Sequence, residues 1–194
     1  MRYIKLLQTG LGAVILSALT TATAMEVSGV KVDESAVVSG VKLHLNGAGL
    51  FYKGPFKVYG GNLYASKKVH SLAELVAADG PKRLTMTFVR DVESALVSKL
   101  MTRGVEDNVP KGEMSKLVPG LIRMSEIFSQ NKAFVVGDVV MLDWIPGTGM
   151  VITGRGKVQG EPFREPEFFH ALMAIWLGPN PTYWKLKDEM LGIQ

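Results

Sequence analysis

Alternation and helical spacing divide the chain into blocks. From Arg83 to Arg90, Leu84, Met86 and Phe88 share one face and Thr85, Thr87 and Val89 the other, which predicts a half-buried strand. Residues 27–41 mix β-branched positions with Gly29 and Gly40 and predict two short strands. Residues 45–52 read as a glycine turn followed by a short aromatic strand. Residues 56–65 predict a further strand, in which Gly60-Gly61 marks a bulge or a place where another group approaches the backbone. Ser71 is a candidate N-cap for a helix over 71–78, with Glu74 completing a capping box.

The second half of the chain is helical on either side of a hairpin. Helix is predicted over 92–102, ending near Gly104, and again over 112–130, where Met114, Leu117, Leu121, Met124 and Phe128 recur at helical spacing. Pro119 should kink this stretch or start a new helix. Gly137-Asp138 turns into a strand over 139–145; Pro146-Gly147-Thr148-Gly149 is a tight turn, and 150–154 returns. An amphipathic helix is predicted over 163–177, ending at Gly178. Pro179 and Pro181 separate it from a last helix over 182–191. Strands, helices, a hairpin and more helices in that order make an α+β pattern, a mostly antiparallel sheet covered by helices on one face.

The first 24 residues carry a different pattern. Arg2 and Lys5 precede an apolar run over 11–19, and Ala22-Thr23-Ala24 is a small-x-small cleavage site. These features predict a cleaved signal peptide, a mature chain from Met25 that forms one domain over 25–194, and a periplasmic or secreted location. The run is shorter than the roughly 20 apolar residues of a membrane span, so no stable span is expected after cleavage.

Charge and composition narrow the function classes. The whole chain is formally +4, and without residues 1–24 it is +2, with no basic run, so nucleic acid is not an expected partner. With no cysteine, disulfides, thiol catalysis and cysteine metal sites are excluded. His44, His70 and His170 lie far apart, so no metal site is expected; His170, beside Phe168 and Phe169, reads as half-buried. Thr153-Gly154-Arg155-Gly156-Lys157 resembles a phosphate loop but lacks its spacing and following helix, and reads as a hairpin end with solvated charges. Asp143 faces opposite to Leu142 and Trp144, a lone carboxylate without a second acid nearby in sequence.

Five segments together carry a resemblance: Gly47-Ala48-Gly49; Lys57-Val58-Tyr59 with Leu63-Tyr64; Leu84-Thr85-Met86-Thr87-Phe88-Val89-Arg90-Asp91; Gly137-Asp138-Val139 with Trp144-Ile145-Pro146-Gly147-Thr148-Gly149; and Ile175-Trp176-Leu177-Gly178. In this order they resemble the bacterial chalcone isomerase-like proteins over nearly all of residues 25–194. The resemblance implies an open-faced β-sandwich, a large antiparallel sheet under a layer of helices with an apolar cleft between. It also implies no cofactor and three possible roles: cofactor-free closure of a chalcone to a flavanone, fatty-acid binding, or non-catalytic assistance to other enzymes. The isomerases carry an arginine two residues after the Gly-Ala-Gly that stabilises the developing enolate; here that position is Phe51. The isomerase threonine on the next long strand corresponds to Tyr59, as in the binding branch, and the hydroxyl-and-methionine pair falls on Ile175 and Trp176. A phenyl ring donates no hydrogen bond, and loss of one such donor typically costs about 10²–10³ in rate.

The expected function is therefore non-catalytic binding of an apolar small molecule, such as a fatty acid or an aromatic acid. The candidate ligand-binding residues are Phe51, Tyr59, Arg90, Asn108 and Trp176. Tyr59 is either a ligand-facing hydroxyl or a core tyrosine bonded to a backbone carbonyl. Arg90 is either a carboxylate clamp that replaces the missing arginine or a structural partner of Asp91. Asn108 matches a family position but also suits a helix cap. Trp144 and Trp176 are core residues first and cleft walls second. The competing roles are an isomerase using Arg90 or Lys53 as its cation, and an accessory protein with a filled cleft.

Overall fold

The computed structural model describes residues 24–27 and 29–193. The leader expected over 1–24 lies outside the described residues, apart from Ala24. The chain opens with a hairpin of β1 (Ala24–Val27) and β2 (Val30–Asp33). Seven strands then form one antiparallel sheet: β3 (Ser35–Val38), β4 (Val41–Lys53), β5 (Phe56–Ala65), β6 (Lys82–Phe88), β9 (Val139–Ile145), β10 (Gly149–Gly154) and β11 (Lys157–Val158). Their spatial order is β11-β10-β9-β6-β5-β4-β3. Two short strands, β7 (Val92–Glu93) and β8 (Ala133–Phe134), pair separately. The helices are α1 (Leu72–Ala77), α2 (Ser94–Glu106), α3 (Met114–Ser129), α4 (Pro166–Leu177) and α5 (Trp184–Leu191).

Period-two burial builds the main core. Leu84, Met86 and Phe88 of β6, Val140 and Leu142 of β9, and Met150 and Ile152 of β10 face the helices. There they meet Met101, Leu121, Met124, Leu172, Trp176 and Leu186 in one apolar cluster. On the opposite sheet face, Val30 and Val32 of the first hairpin pack on Leu50. Arg83 and Asp143, directly opposed on β6 and β9, pair side-on there, with Nε to Oδ1 and Nη2 to Oδ2 both at 2.6 Å. The carboxylate expected to stand alone is thus half of a largely buried ion pair.

Several sequence expectations change. Residues 47–49 are not a turn: β4 runs unbroken through them, with a register shift between Leu45 and Gly47. They are glycines because α5 lies against them. A Cβ on Gly47 would strike the Glu189 and Met190 backbone, and one on Gly49 the Glu189 side chain. Asn46 secures the same junction by donating Nδ2–H to Val69 O (2.9 Å) and Met190 O (2.8 Å) and accepting from Val69 N–H (2.8 Å). Gly60-Gly61 marks close approach on both faces, with Val30 3.1 Å from a Cβ on Gly60 and Leu186 3.4 Å from one on Gly61.

The helices also depart from their predicted bounds. Gly104 lies inside α2, where it lets Ile175 come close, rather than ending it. Pro119 lies within a continuous α3. Helix α4 starts at Pro166, while Phe163 bridges to Met150. It is buried from Phe168 onward on nearly every side rather than amphipathic, because α1, α2, α3 and α5 all touch it. Ser71 caps α1 by accepting from Glu74 N–H, but Glu74 reaches back to His70 N–H, one residue earlier than a standard capping box. His170 is exposed rather than half-buried.

Candidate functional site

Strand pairing brings the first two candidate residues together. Phe51 on β4 faces Tyr59 on β5, and Tyr59 faces Phe88 on β6. The Phe51 and Tyr59 rings stack with centroids 4.9 Å apart at 20°, and Phe88 lies 5.8 Å from Tyr59. The register shifts beside this pair, where Tyr52 opposes Lys57, so Val58 is an extra residue. Trp176 arrives from α4 and donates its indole N–H to the Tyr59 hydroxyl at 2.8 Å. Tyr183, preceding α5, closes edge-on over Phe51 at 6.3 Å.

The space these residues enclose is small and apolar. Phe51, Tyr59, Met86, Met101 and Trp176 are among the side chains around a cavity of ≈ 40 Å³. Ligand sites usually measure about 300–1,000 Å³. Burial pushes the Tyr59 hydroxyl above its ordinary pKa, against the opposing effect of the Trp176 hydrogen bond, so it stays protonated. It accepts from the indole, and its own proton has no acceptor among the described residues. The site therefore offers one hydrogen-bond donor within apolar walls.

Arg90 and Asn108 are elsewhere. Arg90 is exposed two residues past the end of β6, with its guanidinium 4.6 Å above the Phe56 ring. Strand β6 ends at Phe88, before Arg90, so its side chain is not carried into the cleft. Lys53, the other candidate cation, is exposed at the end of β4. Asn108 follows α2 as a linker: Nδ2–H donates to Gly104 O and Asn180 O, both at 2.8 Å, and Oδ1 accepts from Asn180 N–H at 2.8 Å. These bonds tie the end of α2 to the loop after α4 and leave the amide turned away from Tyr59. Trp144 is half-buried and stacks on Phe169 at 5.1 Å.

Phe88, Val97, Met101 and Tyr183 also bound the cleft or cover its rings. Phe88 was within reach of sequence reasoning, since it shares a face with Leu84 and Met86. Nothing local to Tyr183 signals its place over Phe51.

A second groove of ≈ 370 Å³ lies between α3 and the β9–β11 end of the sheet, lined by Ile127, Phe128, Val140 and Ile152, with Arg155 and Lys157 at its polar side. Arg155 has a left-handed backbone (φ 51°) in the β10–β11 turn. Its guanidinium donates to Asp138 Oδ2 at 2.7 and 3.0 Å, to Asn131 Oδ1 at 2.7 Å and to Ala133 O at 2.9 Å. It is exposed at a hairpin end, as expected, and is in addition a hydrogen-bonded hub. Among the described residues, no three His, Cys, Asp or Glu side chains group to hold a metal, and no helix is long and apolar enough to cross a membrane.

Comparison with known proteins bears on the family and the fold. Residues 24–192 match a family model described as chalcone isomerase-like. The crystal structure of an Arabidopsis thaliana fatty-acid binding protein is similar in fold, with a TM-score of 0.63 and 16% identity, over 81% of this chain and 96% of that one. No match to a curated protein was found.

Proposed function

The chain belongs to the chalcone isomerase-like family, and from that premise we propose that it is an exported, non-catalytic protein that binds an apolar small molecule, such as a fatty acid or an aromatic acid, between Phe51, Tyr59 and Trp176. The observation that carries this reading is the Tyr59 hydroxyl, a protonated donor without an acceptor of its own among the described residues, set in apolar walls. Such a group suits the single oxygen end of a largely apolar molecule. The Arabidopsis thaliana protein of the same fold is a fatty-acid binding protein, which supports this ligand class. Export rests on the leader pattern of Arg2, Lys5, the apolar run 11–19 and Ala22-Thr23-Ala24.

Binding requires a change in the cleft. At ≈ 40 Å³ it admits no acyl chain, so a wall of the cleft moves for a ligand to enter, in this reading the Phe51 ring that stacks on Tyr59. The same volume favours a second reading, an accessory protein whose cleft stays filled. Enolate chemistry would need a cation beside Tyr59, and Arg90 and Lys53 both lie outside the cleft.

The test is to purify the protein from an exporting host, denature it and identify released small molecules by mass spectrometry. A stoichiometric lipid or aromatic acid is expected. A clean blank, with no uptake of fatty acid by either the native protein or Phe51→Ala, would leave the accessory reading in its place.

A further inference from the structure

We propose that one end of the large sheet is a docking surface for an anionic lipid bilayer. Four connections meet there: the β4–β5 turn (53–57), the link after β6 (89–91), the segment through β8 to β9 (131–138) and the β10–β11 turn (154–158). Backbone bonds hold them side by side. Val89 N–H donates to Val58 O (3.0 Å), Gly137 N–H to Phe88 O (2.9 Å), and Arg155 N–H to Val139 O (3.2 Å). The Asp91 carboxylate accepts from Val136 N–H at 3.0 Å. From β4 to β11 this edge spans five strand spacings, about 24 Å.

Two independent properties coincide along the edge. The first is exposed apolar surface: Phe56 at 58%, Val135 at 44%, Val136 at 64% and Val158 at 63% relative exposure. Scattered singly, such residues need no explanation, but here they come from three of four adjoining connections. The second is charge. Lys53, Lys57, Arg90, Lys132, Arg155 and Lys157 stand against Asp91 and Asp138, a net +4, whereas residues 25–194 as a whole are +2. The rest of that span is therefore net −2, and the molecule is polarised toward this end. Asp138 is already paired with Arg155 and Asp91 holds a backbone amide, which leaves exposed Lys53, Lys57, Arg90 and Lys157 facing outward.

Apolar tips ringed by cations suit the boundary between acyl chains and anionic headgroups. A neutral partner would not call for the charge, and a purely ionic partner would not call for Phe56 and Val136. The surface adjoins the ≈ 370 Å³ groove, which shares Asp138, Arg155 and Lys157 with it. The inference does not depend on what the Phe51–Tyr59 cleft holds.

Vesicle flotation tests it without any added ligand. The full chain, purified after export, is expected to float with vesicles of phosphatidylglycerol and phosphatidylethanolamine, less so as salt rises, and not with phosphatidylcholine. Lys53→Glu/Lys57→Glu should weaken partitioning by at least about tenfold. Phe56→Ser/Val136→Ser should abolish the fraction that survives high salt. The control Lys31→Glu/Lys42→Glu makes the same charge change at exposed positions outside these connections and should leave binding intact; circular dichroism confirms that each variant is folded. No flotation would overturn the proposal, as would equal flotation with neutral vesicles, an equal loss in the control, or binding indifferent to the loop variants, as an uncleaved leader would give. An acidic protein partner bound at this end with no vesicle binding would overturn it too.

Discussion

Truncating Phe51 to alanine tests both what closes the cleft and what the cleft is for. Its ring is 6% exposed, stacked on Tyr59 at 4.9 Å and capped edge-on by Tyr183. Large-to-small changes of a buried phenylalanine cost about 3–5 kcal/mol, and less where the surroundings collapse into the gap. Here β4 is held between β3 and β5 while α5 lies against its glycines, so little collapse is available, and the expected cost is about 4 kcal/mol. For a chain of this length that corresponds to a fall in Tm of about 8–16 °C. Urea unfolding at constant m-value should report the same loss as a lower midpoint. The deletion also adds roughly 100 Å³ to the ≈ 40 Å³ already present. Apolar cavities of about 150 Å³ bind benzene, so the variant should gain benzene or indole binding, visible as thermal stabilisation by the ligand. A loss under about 1 kcal/mol would refute the claim that the Phe51 ring plugs a rigid cleft. Full destabilisation without any gain in binding would refute the idea that a ligand site lies behind it.

Four further outcomes follow from the geometry. Gly47→Ala should cost more than Gly49→Ala, because the first meets the backbone of Glu189 and Met190 and the second a side chain that can swing away; overpacking of this kind costs about 1–3 kcal/mol in urea unfolding. Asp143→Ala should cost about 2–3 kcal/mol by the same measurement, a value discounted for the partial exposure of Arg83, because it strands a guanidinium that is 18% exposed. The Arg155 hydrogen bond holds the Asp138 carboxyl below its usual range, so its contribution is present above the ordinary aspartate value of about 4 and is lost as pH falls through the lower folded value. The stability gap between the native protein and Arg155→Ala should therefore narrow in acid unfolding series, and a gap constant with pH would refute the link. Arg90→Ala should leave fatty-acid uptake unchanged in a fluorescence displacement assay, whereas Tyr59→Phe should weaken it.

Much of the architecture was legible where a residue's role is decided by its near neighbours. The alternation of Leu84, Met86 and Phe88 and the Pro146–Gly149 turn predict β6 and the β9–β10 hairpin closely, because a strand half-covered by helices writes its burial into period two. The fold class was legible for the same reason. Gly47 and Gly49 read locally as a turn, because the pressure to be glycine comes from a helix some 140 residues later, which no local pattern encodes. Gly104 reads as a helix end for the same cause, its neighbour being Ile175. In the site, the meeting of Phe51 with Tyr59 follows once β4 and β5 are antiparallel. The Trp176 bond depends on how α4 lies over the sheet, and the exile of Arg90 depends on β6 ending at Phe88 instead of continuing through Val89.

The seam between β4 and α5 bears on how the chain folds in time. Asn46 bonds Met190 across 144 residues, and Gly47 and Gly49 are shaped for a helix that ends at Leu191. The central strands can pair beforehand, but one flank of β4 stays uncovered until α5 has been made. Folding that waits on so distant a pairing is slow, because the loop must close before its contacts contribute. Synthesis can thus run past α4 with this flank still open, and loss of α5 would leave it open permanently.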